Sequence, residues 1–400
     1  MQTIYDYIII GSGLTGQIIA TRLSKENHKV LLLEAEVNTG GANRPAQLMN
    51  HISDAGLRFV PANSTSESCL IQLENLLGLK LIKNIRTNIP KTYEASGFKD
   101  FVGFGENPPD FYDQFNYFLS KEEFELSLPI HKIQSLLLEK FQGELITRAH
   151  VTNISNFEPL TDSKVPSAEE ISAVQVTVNG SKKYLANKII YAAPVKELSH
   201  LVSDEVINLR TKTKLKKDPS WLSICLDLYT EGGVLEDSFF EQNNLDTKTL
   251  FVLDGTTQDE IGPCIGRFEK AINAEVSSNQ SHQQFSQWVG FIDLSSSEET
   301  ENIGEVLKKM RRQIKRAFPT IADSIKSERI FVSAPMSTID LKLNANGTLP
   351  KLPQVWIASS ALSKHPNLLG ALTQAQLTLA SLGIHNEEIS TVDSEMTSEL

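Results

Sequence analysis

Residues 7–34 open on Tyr7-Ile8-Ile9-Ile10-Gly11-Ser12-Gly13-Leu14-Thr15-Gly16 and close on Lys29-Val30-Leu31-Leu32-Leu33-Glu34. An apolar run, three glycines in a G-x-G-x-x-G spacing, a helix-length segment, a second apolar run and an acid make up a βαβ opening. Each glycine has a separate task. Gly11 permits the tight turn, Gly13 lets the main chain approach a pyrophosphate, and Gly16 lets the helix pack close to the strand. The N–H groups that begin the helix, at Leu14 and Thr15, face the phosphates together with the positive end of the helix dipole. Ser12 and Thr15 sit in this turn and read as phosphate ligands. They are not read as nucleophiles. Glu34, with Ala35 after it, stands where an acid accepts hydrogen bonds from a ribose, which disfavours a 2′-phosphate there. NAD and FAD both satisfy this pattern, and the plainer alternative is a βαβ unit whose glycines serve packing alone.

Working outward, Gly40-Gly41-Ala42-Asn43-Arg44 follows the second strand almost at once. Gly41 marks a second close backbone approach, and Arg44 is a candidate phosphate partner; a plain loop is the alternative. Asp54-Ala-Gly-Leu-Arg-Phe-Val-Pro61 reads as a turn into a short strand, and 65–79 as a helix ended by Gly78. Residues 86–127 are rich in aromatics, better suited to filling a small core than to lining a pocket. Around 217–294 short alternating segments replace the βαβ pattern, with Leu222, Ile224, Leu226 and Leu228 in period two, and predict an antiparallel sheet. Residues 301–318 form an amphipathic helix. Its basic side reads first as a solvated face and second as a weak contact with an anionic membrane or a protein partner.

A chain of 400 residues exceeds one ordinary core, so two domains are expected. A net charge of −11 argues against general nucleic-acid binding. Cys69, Cys225 and Cys264 are widely spaced and form no zinc pattern, so no metal site is expected and a reducing, cytoplasmic setting is. No basic, long-cored leader opens the chain and no apolar run is long enough to span a bilayer. From Glu387 onward there are five acids and no base, which reads as an acidic disordered tail over 387–400.

In this order the segments resemble the flavoprotein superfamily of amine oxidases, phytoene desaturases and protoporphyrinogen oxidases. Four places carry the resemblance: Gly11–Glu34; Gly40-Gly41 with a displaced Arg44; His150-Val151-Thr-Asn-Ile154 followed by Ile189-Ile-Tyr-Ala-Ala-Pro194; and Val355–Leu372. The resemblance implies FAD as cofactor, with Val151, Ala193 and Pro194 around its adenosine end and Ser359, Ser360, Gly370, Ala371 and Leu372 toward the flavin. It implies an α/β fold: a Rossmann-like FAD-binding domain (1–85, 128–216 and 325–386) with a second α+β substrate domain on an antiparallel sheet (86–127 and 217–324). It also implies hydride transfer from a small amine or an apolar unsaturated substrate. His131 and His365 are the ionisable residues placed nearest the flavin ring, hence the catalytic candidates. A hydrogen-bonded or exposed histidine is the plain alternative for each.

The chain departs from the family at three places. Ser359-Ser360 stands where Gly-Asp is usual, Leu128-Pro129-Ile130-His131-Lys132 where a Gly-Gly pair is common, and Trp221–Leu228 lacks the lysine that many amine oxidases carry. A non-catalytic nucleotide-binding protein of the same fold, and an NAD-dependent dehydrogenase, therefore stay open as alternatives.

Overall fold

Ile8 and Ile9 are fully buried, as are Leu31 and Leu32, so these two runs are covered on both faces, as central strands of a parallel sheet must be. In the computed structural model they form strands Ile4–Ile10 and Val30–Leu33, paired in parallel and joined by the helix Leu14–Lys25. The structure describes residues 3–384, apart from 95–96, 106–109, 113–115, 158–172, 218–220, 233–234, 236, 247, 254–262, 270–271, 274–281, 334–340 and 366. The expected loop at 158–170 and the acidic tail at 387–400 lie outside the described residues.

The first sheet runs in the order Val151–Asn156, Val174–Val178, Lys182–Tyr191, Ile4–Ile10, Val30–Leu33, Glu144–Ile146. Lys182–Tyr191 has two roles along its length. Its first half pairs antiparallel with Val174–Val178, and its second half pairs in parallel with Leu352–Ile357. Side chains alternate across the sheet. Tyr7, Ile9, Val30 and Leu32 pack beneath Leu14–Lys25 and the helices Ser64–Leu77, Ile130–Lys140 and Asn367–Ser381. Ile8, Ile10, Leu31 and Leu33 face a second core built from residues 149–215 and 341–357.

The second sheet is mostly antiparallel, in the order Ile325–Val332, Trp221–Glu231, His282–Asp293, Cys264–Phe268, Phe251–Leu253, Lys91–Glu94, Gly97–Asp100. The chain is thus mixed α/β, with a parallel Rossmann-like sheet beside a mostly antiparallel one. The aromatics of 86–127 largely fill cores: Phe98 packs against Phe251 and Phe318, and Phe111 stacks on Phe291 with ring centroids 5.0 Å apart. Phe115 lies outside the described residues.

Two expected boundaries shift. Ile325–Val332, expected in the first domain, pairs with Trp221–Glu231 at the edge of the second sheet. Its half-exposed pattern carries no local sign of which sheet it joins. Ile82–Thr87 pairs with Glu122–Leu126, so the boundaries near 85 and 127 fall on a two-stranded ribbon.

The helix Thr300–Ala317 buries Val306, Leu307, Met310 and Ile314 on the second core. Its basic side is engaged within the protein: Arg311 pairs with Glu328 at 2.7 Å, Lys308 with Glu305 at 3.2 Å and Lys315 with Asp323 at 3.6 Å. That pairing lowers the free positive charge on which a membrane or partner contact would depend. No helix among the described residues is long and apolar enough to cross a membrane.

Candidate functional site

Ile10, Leu33, Tyr191 and Ile357 lie in mutual register, so four parallel strands end together. The ladder continues one step further through Ala192 N–H to the Ile10 carbonyl and Ala358 N–H to the Tyr191 carbonyl, each 2.8 Å. Gly11, Glu34, Ala193 and Ser359 therefore gather at one sheet end, outside the strands' carboxyl termini, where open α/β sheets form their ligand crevice. Their separation in the chain is undone by parallel pairing.

The three glycines of the turn stand in three different settings. Gly11 has φ +100°, and a Cβ there would lie 3.1 Å from the Ala192 carbonyl group. A Cβ on Gly16 would lie 2.0 Å from the Gly11 oxygen, so the helix could not approach the strand. Gly13 is the N-cap, and a Cβ there would meet nothing within 4 Å. Folding does not demand a glycine at that point; the space before it is what the residue preserves. The second glycine pair closes one side of this space. Gly40 N–H donates to the Ser12 carbonyl at 3.0 Å, and a Cβ on Gly41 would lie 3.2 Å from Gly13 Cα. Arg44 is exposed at the end of this loop.

The side chains of the turn bond to neighbouring parts of the protein. Ser12 Oγ donates to Glu34 Oε2 at 2.6 Å, and Ser12 N–H to the same oxygen at 2.9 Å. Thr15 Oγ1 donates to the Ala371 carbonyl at 3.0 Å. Both hydroxyls hold the scaffold here, because buried hydroxyls take the nearest acceptor. What the turn offers an anion is main chain, chiefly the first-turn N–H groups of Leu14, Thr15 and Gly16, which lack intrahelical acceptors by construction. Glu34 is buried and also accepts Glu36 N–H through Oε1 at 2.9 Å. With two lone pairs per oxygen, Oε2 is full and Oε1 retains one position for a ribose hydroxyl.

The other arms converge on this end. Ala149 N–H donates to the Glu34 carbonyl at 2.8 Å, which brings the start of the Val151 strand alongside. Tyr191 Oη donates to the Pro194 carbonyl at 2.8 Å and sets the chain's exit beyond Ala193. Ser359 is buried and Ser360 exposed. A Cβ on Gly370 would lie 2.3 Å from the His365 carbonyl oxygen, so this glycine lets the loop close on the start of the last helix. The Thr15–Ala371 bond ties that helix, through Ala371 and Leu372, to the first one.

His131 and His365 have different settings. His131 is buried, its Nδ1 2.8 Å from Asp54 Oδ1, and that carboxylate also accepts Ile130 N–H at 2.9 Å and His131 N–H at 2.7 Å. Asp54 therefore caps the helix Ile130–Lys140 from the end of the strand His51–Asp54. His365 is half-buried, with its N–H bonded to Ser363 Oγ at 3.1 Å.

Asp54 also marks a junction that was not foreseen. Gln287 Nε2 donates to the Asp54 and Gly56 carbonyls, each at 2.9 Å, and so binds the loop to the second sheet. Asp227 beneath it is fully buried and paired with Arg329 (Nε to Oδ2 3.0 Å); burial pushes its carboxyl up against the pull of that guanidinium. Cys225, packed against Gly56, has its thiol pushed up to about 12 by burial. Tyr117 Oη donates to the Phe59 carbonyl. Beside these residues lies a cavity of about 280 Å³, bordered by Arg58, Arg86, Glu123 and Arg267 and by Ile130 and Leu368 from the starts of two helices. A turn at Asp54-Ala-Gly56 was the only local sign of this junction.

Residues 9–68 match the family model of an NAD(P)-binding Rossmann-like domain. Among solved structures, putrescine oxidase bound to putrescine is similar at a TM-score of 0.60 and 12% identity, covering 96% of this chain and 100% of that one. Cyclohexylamine oxidase from Brevibacterium oxydans gives 0.61 and 12%, covering 95% and 99%. A protein assigned as a protoporphyrinogen oxidase, from Exiguobacterium sp., gives 0.57 and 11%, covering 96% and 100%. The chain has the fold of these oxidases. At such identities the likeness extends to architecture and no further. No curated protein sequence matches the chain.

Proposed function

We propose that this protein is a flavin-dependent oxidoreductase that holds FAD at the glycine turn and accepts a hydride from a small organic substrate. The observation that carries the reading is the unfilled space before Gly13, with Gly41 alongside and helix N–H groups behind it. A diphosphate fits there: it needs bare main chain and a positive helix end. Glu34, with one acceptor position left on Oε1, would take a ribose hydroxyl, while Ala35 and Val151 would border the adenosine end. Gly11, Leu14, Gly16, Arg44, Ala193 and Pro194 complete the cofactor set, and Ser359, Ser360, Gly370, Ala371 and Leu372 border the flavin end.

Bound FAD would supply the electron acceptor. The protein's own residues would orient substrate and cofactor and hold protons. We assign proton handling to His131 and His365. Asp54 supports this for His131, since a carboxylate on Nδ1 fixes the ring and its tautomer. Serines at 359 and 360 bring hydrogen bonds without charge, so the ribityl–phosphate end would be held less tightly than by an aspartate. The protein as purified tests the reading. Flavin absorbance, with FAD released on denaturation, is the expected result; colourless protein that takes up no added FAD would remove it.

A further inference from the structure

The cavity at the junction has an unusual wall. Four cations border it, Arg58, Arg86, Lys248 and Arg267, against three carboxylates, Asp54, Glu123 and Glu125. Every carboxylate is already engaged. Asp54 holds two helix N–H groups and the His131 ring. Glu123, 5% exposed, is shared by two guanidinia, with Arg86 at 2.5 Å and Arg267 at 3.0 and 3.1 Å. Glu125 is shared by Lys248 and Lys83.

The donors, by contrast, are in surplus. Arg58 bonds the Ala42 carbonyl and has no carboxylate partner among the described residues. Arg58 Nε, Arg86 Nη1 and Arg267 Nε are buried without an acceptor among the described residues. Burial pulls the Arg86 guanidinium below its usual range despite Glu123. Unmatched buried donors are costly, and two arginines on one carboxylate leave positive charge in a low-dielectric setting. The rest of the wall is apolar: Phe59, Val60, Leu126, Leu128 and Leu368.

We infer that this cavity binds a small organic anion, a carboxylate on an apolar body, with Arg58, Arg86 and Arg267 supplying the positive field. An ammonium head would find no free carboxylate here and would have to shed its water beside three guanidinia. As a substrate site the inference rests on the flavoenzyme reading, and it turns that reading from an amine toward an apolar acid. As an anion site it stands by itself.

Calorimetry on the full chain as purified tests it, with octanoate and octylamine as probes that share a body and differ in charge. Octanoate binds and octylamine does not. Arg58→Gln weakens octanoate about tenfold or more, the loss of one charge-assisted bond. Lys248→Gln, at a partly exposed side chain paired with Glu125, also weakens it. Octylamine binding as tightly as octanoate, or wild-type affinity in both folded variants, overturns the site. Flavin content, read separately by absorbance, keeps the two readings apart. Yellow protein that ignores octanoate sinks the anion site alone, whereas colourless protein that binds octanoate and takes up no added FAD upholds the anion site and sinks the flavin.

Discussion

At the scale of single residues, two glycines of the opening turn, Gly13 and Gly16, predict opposite phenotypes. A Cβ on Gly13 meets no heavy atom within 4 Å, so Gly13→Val should fold with near-normal stability yet lose flavin, read as absorbance per mole of protein. Gly16→Ala places a methyl 2.0 Å from the Gly11 oxygen. It should cost about 1–3 kcal/mol in a urea melt, the usual range for overpacking. If both variants lose stability equally, the space before Gly13 is structural and the ligand role is wrong. Glu34 mixes the two effects. Removing it strands the buried Ser12 N–H and hydroxyl, so Glu34→Ala should lower stability by about 1–3 kcal/mol besides weakening any ribose contact. The glycines and the acid were legible because the motif is local, within one βαβ unit. The second duty of Glu34 was not, since nothing in the spacing shows that Ser12 turns toward it.

At the scale of elements, helices and strands were legible wherever an apolar period met a clear stop. The helix over 65–79 is such a case: Asn63 Oδ1 caps it through Ser66 N–H, and Gly78, at φ +67°, ends it in the left-handed region. What the period did not reveal is the carboxylate that fixes its exit. Glu74 is buried and accepts Leu81 N–H at 2.7 Å, Ile82 N–H at 2.9 Å and Lys80 Nζ at 3.1 Å. Burial alone would raise its pKa, but the two N–H groups and the lysine outweigh it and the pKa is lowered from the ordinary 4.5. A depressed carboxyl contributes stability that is complete above its unfolded value and is lost as the pH falls through the folded one. Glu74→Gln should therefore be less stable than wild type at neutral pH, and the gap should narrow below about pH 4.5. Melting curves across that range check it; a gap independent of pH would show that the carboxylate's charge has no part in holding the exit.

At the scale of the whole molecule, Ser223, Cys225 and Asp227 alternate with leucines and isoleucine, a pattern that by itself suits a sheet with one face in water. Instead Trp221–Glu231 is buried on both faces, since the loop 54–60 and Phe111 and Phe118 cover that side. Its polar residues become internal fasteners between the two sheets. Such a junction draws on residues from Ser53 to Arg329, and no local pattern announces which charges will meet. The Asp227–Arg329 pair lies at its centre, with Arg329 also donating to Ser53 Oγ at 3.3 Å. Removing one member leaves the other charged, buried and unmatched, so Asp227→Ala should destabilise by about 3–5 kcal/mol. Replacing both with apolar residues of similar size, Asp227→Leu with Arg329→Met, should recover most of that loss, because the desolvation cost of two ions disappears with them. A double-mutant cycle in urea separates these outcomes. Recovery in the double variant with flavin content lowered would assign the pair to holding the 54–60 loop in place for the cofactor. If the double variant is as unstable as Asp227→Ala, the sheets are joined by packing around the pair, and the ion pair itself does not hold them.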